Sequence, residues 1–370
     1  MMLGNAKRIV IKVGSSLLID AENQLRGNFL AQIAESIAAL ISEGKQVIVV
    51  TSGAVALGRP SLGYGARTLT LEEKQAAAAC GQITLFSMWD KAFSAFQLRP
   101  AQILLTADDS IHRRRYLNAK NTLDTLLENK SVIPVINEND TVATAELRFG
   151  DNDRLAARVA QMAEADLLII FSDIDGLYSE NPNHNPDARF IDEVTEITPE
   201  IEKMAGGAAS SVSSGGMVTK IAAAKIATAS GCHVIIAKGL GEHPLRALIQ
   251  GGKHTHFMAK GTPRTARKEW IAGSLHATGE IWVDAGAVKA LQSGKSLLPA
   301  GVTLVIGSFD RGDAVNIIDA ATTKVIGKGL IAYAAEDAAR IAGKKSQEIE
   351  QILGFKRRDV LIHRDDMVLE

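Results

Sequence analysis

A three-layer αβα sandwich with a mainly parallel sheet, followed by a small β-rich domain, is the α/β fold class that three observations in the sequence predict. Short apolar runs rich in Val, Ile and Leu end in Gly or polar residues. Helix-period segments lie between them, and near residue 260 the alternation stops. Strands and helices that alternate in this way build a sheet with helices on both faces.

The first run is RIVIKVG. QVIVVTSG, PAQILLT, SVIPVIN, DLLIIFSD and CHVIIA follow, and each reads as a buried strand of a parallel sheet. Helices are predicted from FLAQIAESIAALISE, LEEKQAAAACGQITLFSMWDKAFSAF, RRYLNAKNTLDTLLEN, DRLAARVAQMAEA and MVTKIAAAKIATAS. Beyond them TPRTARKEWIAG is basic and polar, and GEIWVDAG, GVTLVIG, AVNIID and KVIGKGLIAY are short alternating segments between Gly and Asp turns. The expected organisation is a larger domain over residues 1–261, a linker over 262–277 and a β-rich domain over 278–370. His254 and His256 read as a loop pair, and Trp282 as a core residue.

Composition narrows the function classes. The 370 residues are 46% hydrophobic and 22% charged, with a formal net charge of −1, so the chain is globular and lacks the strongly basic surface that drives nucleic-acid binding. No run approaches the roughly 18 consecutive apolar residues of a membrane span. MMLGNAKRIVIKVG enters a strand pattern without a cleavage signal, so the expected location is cytoplasmic. Cys80 and Cys232 sit among small or apolar neighbours and read as packing residues; neither a disulfide framework nor a zinc site is predicted.

The candidate chemistry lies at the carboxyl ends of the predicted strands, where open α/β sheets bind ligands. VINENDTVATAELRFGDND carries eight carboxylates and carboxamides between Val135 and Asp153. A calcium loop is excluded, because Val142 stands where an EF-hand requires Gly and the preceding SVIPVI is strand-like. SGKS at Ser293 to Ser296 lacks the leading Gly of a P-loop, and LGYG at Leu62 to Gly65 lacks the third Gly of a dinucleotide fingerprint. Better anion-binding candidates are Gly14-Ser15-Ser16, Thr51-Ser52-Gly53-Ala54 and the loop Ser214, Gly215, Gly216, Met217, Val218, Thr219, Lys220, each of small residues that let backbone N–H groups approach a phosphate. Lys12 interrupts an apolar strand, where an unpaired ammonium would be costly to bury. With Lys220 it offers two cations for one phosphoryl group, and phosphoryl transfer asks chiefly for positioning and charge neutralisation.

IKVGSSLL, VTSGAVALG, the long VIPVINENDTVATAE and FGDND run, SDIDGLY and SGGMVTK, in this order over residues 8 to 220, resemble the amino-acid kinase family, and the combined set is similar to its glutamate-phosphorylating branch. The tail resembles a PUA domain. The resemblance implies transfer of the ATP γ-phosphoryl to the side-chain carboxylate of L-glutamate, the first step toward proline, with proline as a feedback inhibitor. By position it implies that Lys12 and Lys220 neutralise the phosphoryl group, with Asp153 holding both as the third catalytic residue. Ser52, Asp140 and Asn152 would bind glutamate, Asp140 taking the ammonium and Asn152 a carboxylate. ATP would meet Lys12, Ser172, Asp173 and residues 214–220, and Mg²⁺ would bridge its phosphates without a metal ligand from the chain. Asp109 and Glu146 are the implied proline sensors. Further implied partners are a homo-oligomer and the downstream glutamyl phosphate reductase. Arg148 stands where some relatives carry Lys, and Ser172 where Thr is frequent.

Arg113, Arg114 and Arg115 read as a solvated helix start beside Asp108 and Asp109. From Thr278 to Glu370 there are 12 Lys and Arg against 13 Asp and Glu, a balance that favours a structural or regulatory role for the tail over RNA binding. The alternative from a different class is an RNA-binding or regulatory protein whose kinase domain is inactive.

Overall fold

The structure is a computed structural model that describes residues 2–19, 26–65, 67–143, 152–182, 184–206, 216–274 and 276–369. Its contacts divide the chain into two compact units, residues 1–263 and 264–370.

The first unit contains β1 (Arg8–Val13), β2 (Gln46–Thr51), β3 (Arg99–Leu105), β4 (Val132–Glu138) and β5 (Leu167–Ser172). After them come β6 (Leu177–Tyr178), β7 (Phe190–Ile191), β8 (Glu193–Val194), β9 (His233–Lys238) and β10 (His254–Phe257). Eight of these form one sheet in the order β3-β4-β2-β1-β5-β9-β10-β8, and β6 pairs with β7 apart from it. The ladder from β3 to β9 is parallel throughout. The last two strands run the other way: β10 is antiparallel to β9, and β8 is parallel to β10.

Strand alternation sends residues to opposite faces. Ile9, Ile11 and Val13 of β1 join a core with Ile33, Ile37, Trp89 and Phe93, from the helices Gly27–Ser42 and Leu71–Ser94. Val10 joins a second core with Leu155 and Val159 of the helix Asn152–Met162 and Ala224 of the helix Met217–Ala229. Two apolar faces, each covered by helices, make the predicted three-layer sandwich.

Two expectations change here. PAQILLT is an edge strand, not a buried one; along β3 only Leu105 is fully buried. Pro100, with no N–H to donate, suits an edge. His254 and His256 do not form a loop pair but alternate along β10, where Thr255 points inward and is fully buried. Thr255 Oγ1 accepts from Leu177 N at 2.7 Å and donates to Ile191 O at 2.6 Å, joining β10 to the β6–β7 pair.

The second unit has a five-stranded sheet of β11 (Gly279–Val283), β12 (Val302–Gly307), β13 (Ala314–Asp319), β14 (Val325–Leu330) and β15 (Met367–Leu369), in the order β12-β11-β13-β14-β15. Ile281 and Val283 enter its core, whereas Trp282, expected there, is only half-buried and donates its Nε1–H to Glu280 at 3.0 Å. The period of two explains this, because the neighbours of Ile281 must face the other way. The stretch expected as a linker is helical over Pro263–Ser274. Pro suits a first turn, and one turn apart Arg267 pairs with Asp366 while Ile271 packs with Ala314 and Leu330.

Candidate active site

Four adjacent central strands, β4, β2, β1 and β5, deliver their carboxyl ends to one cavity of about 380 Å³. Among its lining residues are Lys12, Ser52, Asp140, Asn152, Ser172, Asp173 and Lys220, together with the loops from Gly14 to Ser16 and from Ser52 to Ala56. A larger hollow of about 680 Å³ lies around Gly4–Lys7, Glu43–Val47 and Leu127–Lys130, at the amino ends of the strands. There Lys45 is engaged by the carbonyls of Gly4 and Ala6. The smaller cavity, at the end of the sheet where α/β folds bind ligands, is the candidate.

Its floor is an ion triad. Lys12 Nζ stands 2.6 Å from Asp153 Oδ1, and Lys220 Nζ stands 3.0 Å from Asp153 Oδ2. All three side chains are buried, Asp153 completely. Burial alone would raise the Asp153 carboxyl, but the Lys12 and Lys220 ammoniums and their hydrogen bonds outweigh it and hold the group below the usual carboxylate range. Thr219 Oγ1 lies 3.0 Å from Asp153 Oδ2 and 2.7 Å from Gly216 O, which pins the start of the helix Met217–Ala229 to the triad. Asp153 is itself in the first turn of the helix Asn152–Met162, where the dipole favours an anion. Two cations share one carboxylate in the triad, while Arg59, Glu138, Asp140 and Asp173 add charges of both signs to the cavity lining.

Asn152 is held from two sides. Its Nδ2 donates to Thr51 O at the end of β2 and, at 2.9 Å, to Asn137 Oδ1 at the end of β4. Both amide hydrogens are thereby engaged, so the group left for a ligand is Oδ1, an acceptor. The Asn152 NH₂ group is thus engaged within the protein, at the ends of β2 and β4. At β5, Ser172 is buried and its Oγ donates to Asp173 Oδ1 at 2.9 Å.

Gly216, Met217, Val218 and Thr219 sit at or just inside the start of their helix, beside the cavity wall formed by Lys220. Ser214, Gly215, Glu146 and Arg148 lie outside the described residues. Asp109 does not line the cavity. Its Oδ2 accepts from Thr106 N and Thr106 Oγ1, each at 2.7 Å, as the cap of the short helix Ala107–Ile111. Arg115 is exposed and pairs with Asp108 at 2.7 Å.

Sequence reasoning missed Arg59, Asn137 and Glu138, which also line the cavity. Asn137 and Glu138 carried a signal, being polar residues that end an apolar strand; Arg59, one turn past the β2 loop, carried none. Among the described residues no group of three His, Cys, Asp or Glu side chains is placed to hold a metal ion. Burial raises the Cys232 thiol above its ordinary range, as suits a packing residue.

A cation pair locked on a buried carboxylate, at the carboxyl end of a parallel sheet and ringed by small-residue loops, defines a phosphoryl-transfer class of site. Residues 7–238 match the amino acid kinase family and residues 279–353 the PUA domain, and the chain belongs to the amino acid kinase family. The relatives it resembles along its whole length are glutamate 5-kinases. That of Paramagnetospirillum magneticum is 57% identical over 369 residues, covering 100% of this chain and 99% of the relative. Those of Sinorhizobium fredii and Rhodopseudomonas palustris are each 56% identical, covering 98% and 99% of this chain and 92% and 97% of their own.

Proposed function

We propose that the chain transfers the γ-phosphoryl group of ATP to the side-chain carboxylate of L-glutamate, giving L-glutamyl 5-phosphate and ADP. The observation that carries this reading is the Lys12–Asp153–Lys220 triad at the floor of the cavity.

The acceptor carboxylate, with an ordinary pKa near 4.3, is already ionised at neutral pH, so no general base is required. The barrier lies in bringing two anions together and in the charge that builds on the phosphoryl oxygens. Lys12 and Lys220 answer both needs from fixed positions. Because Asp153 orients both ammoniums before substrate arrives, little reorganisation remains for the transition state. Ser52, Asp140 and Asn152 would hold glutamate on the β2 and β4 side. Ser172, Asp173 and the start of the helix Met217–Ala229 would hold ATP on the β5 side. Mg²⁺ would travel on the ATP phosphates and share the neutralisation.

The product is the activated acyl phosphate from which proline synthesis begins, and proline is the natural feedback inhibitor of such a step. A homo-oligomer and a reductase that receives the labile product fit the same reading. A cytoplasmic location, where ATP and glutamate are both at hand, fits the same reading. Incubation with ATP, Mg²⁺, glutamate and hydroxylamine tests it: hydroxamate is expected. Hydroxamate from aspartate or N-acetylglutamate but none from glutamate would sink the assignment.

A further inference from the structure

The Asn152 carboxamide is held by the Thr51 carbonyl and by a hydrogen-bond chain that runs through Asn137. Asn137 Oδ1 accepts from Asn152 Nδ2 and from the Glu138 backbone N–H, each at 2.9 Å. Asn137 Nδ2 donates in turn to Gln82 Oε1 at 2.8 Å. The Glu138 N–H is a fixed donor and sets which way the Asn137 carboxamide faces; Gln82 Oε1 then accepts from its other end. That orientation agrees with Thr51 O, which can only accept, in holding the Asn152 NH₂ on the protein side.

Gln82 lies on the helix Leu71–Ser94, two turns before Trp89, whose Nε1–H donates to Thr51 Oγ1 at 3.1 Å. One helix face thus steadies both residues that accept from Asn152: Thr51 through Trp89, and Asn137 through Gln82. Resting on the glutamate reading, we propose that Gln82 is a positioning residue that holds Asn137, and through it Asn152, in the place from which Asn152 Oδ1 and Asp140 together select the α-ammonium of the amino-acid substrate. Gln82 does not line the active-site cavity; it lines a neighbouring groove that shares Glu138 and Asp140 with it. Without its acceptor the buried Asn137 NH₂ is left unpaired, which displaces the carboxamide that Asn152 leans on.

Glutarate, which is glutamate without the ammonium, separates this role from general damage. Dissociation constants for glutamate and glutarate, measured by titration calorimetry on the full chain, are compared for wild type, Gln82→Met and Gln82→Glu. Turnover of glutamate by the wild type is the separate check on the activity itself. The wild type is expected to prefer glutamate. Gln82→Met is expected to shrink that preference about tenfold, the scale of one lost hydrogen bond to a charged group, with glutarate binding and the KM for ATP unchanged. Gln82→Glu keeps an acceptor facing Asn137 and is expected to keep or raise the preference. Three outcomes overturn the proposal: equal binding of the two acids by wild type, parallel weakening of both in Gln82→Met, or loss of the preference in Gln82→Glu. The last stands even if the Met variant fails to fold.

Discussion

At the scale of the residue, burial and charge act against each other in the triad, and charge prevails. A lone buried ammonium would be costly, but Asp153 accepts from both lysines at 2.6 and 3.0 Å and holds them in place. Lys220→Ala should therefore lower kcat by about a hundredfold or more, the usual loss for one transition-state donor, while the KM for glutamate changes little. Steady-state kinetics decide it, and a loss confined to KM would contradict the role. Lys12 is legible in the sequence because it is out of place in an apolar strand, and Lys220 because it follows a glycine-rich helix start; Asp153 stands among other acids, and only the family resemblance ties it to them. Gln82 is not legible. Nothing in GQITLF separates it from any polar residue on a helix, and its role exists only once helix and strand meet.

At the scale of the element, two contacts carry most of the consequence. The short helix Ala54–Gly58, which follows the β2 loop, crosses the helix Leu71–Ser94 so closely that backbone meets backbone. A Cβ on Gly81 would stand 1.9 Å from Ala54 O, and one on Gly58 would stand 1.8 Å from Ala77 O. Gly81→Ala should cost about 1–3 kcal/mol as the helices part, lower Tm by several degrees in a thermal melt, and raise the KM for glutamate through the displaced loop. The second contact joins β9 to β10. His233 Nδ1 accepts from Ala259 N at 3.2 Å and lies 3.3 Å from His256 Nε2. Burial, with His233 and His254 nearby, pushes His256 down to about 4; burial also lowers His233, against the pull of Asp166. The folded pKa of His256 lies below the unfolded value of about 6.5. Stability is therefore whole above pH 6.5 and declines as pH falls toward 4, because the unfolded chain binds the proton first. Urea midpoints between pH 7.5 and 4.5 should fall more steeply for wild type than for His256→Gln. The six long apolar strands are readable from composition, whereas four-residue HTHF is too short and too polar to signal a strand. For β3 the available signal is Pro100, which marks an edge even in an apolar run.

At the scale of the whole molecule, the hydrophobic clusters of the two units share no residue: those of the first run from Ala6 to Phe257 and those of the second from Ile271 to Leu369. A fragment ending at Pro263 should then fold with one cooperative transition and still form hydroxamate, as circular dichroism and the trapping assay would register. Loss of both in a soluble fragment would mean that the first unit depends on the second. The net charge also reaches beyond the fold. ATP and glutamate are both anions, and they approach a chain whose formal charge is −1. Outside the Debye length of about 8 Å at physiological salt, nothing of that average draws them in. Diffusive encounter is left unsteered, and the positive triad acts only on a molecule already at the cavity mouth. Such an enzyme wins its substrates by retention rather than by pursuit, and because the retaining charges are buried, added salt should change their arrival little.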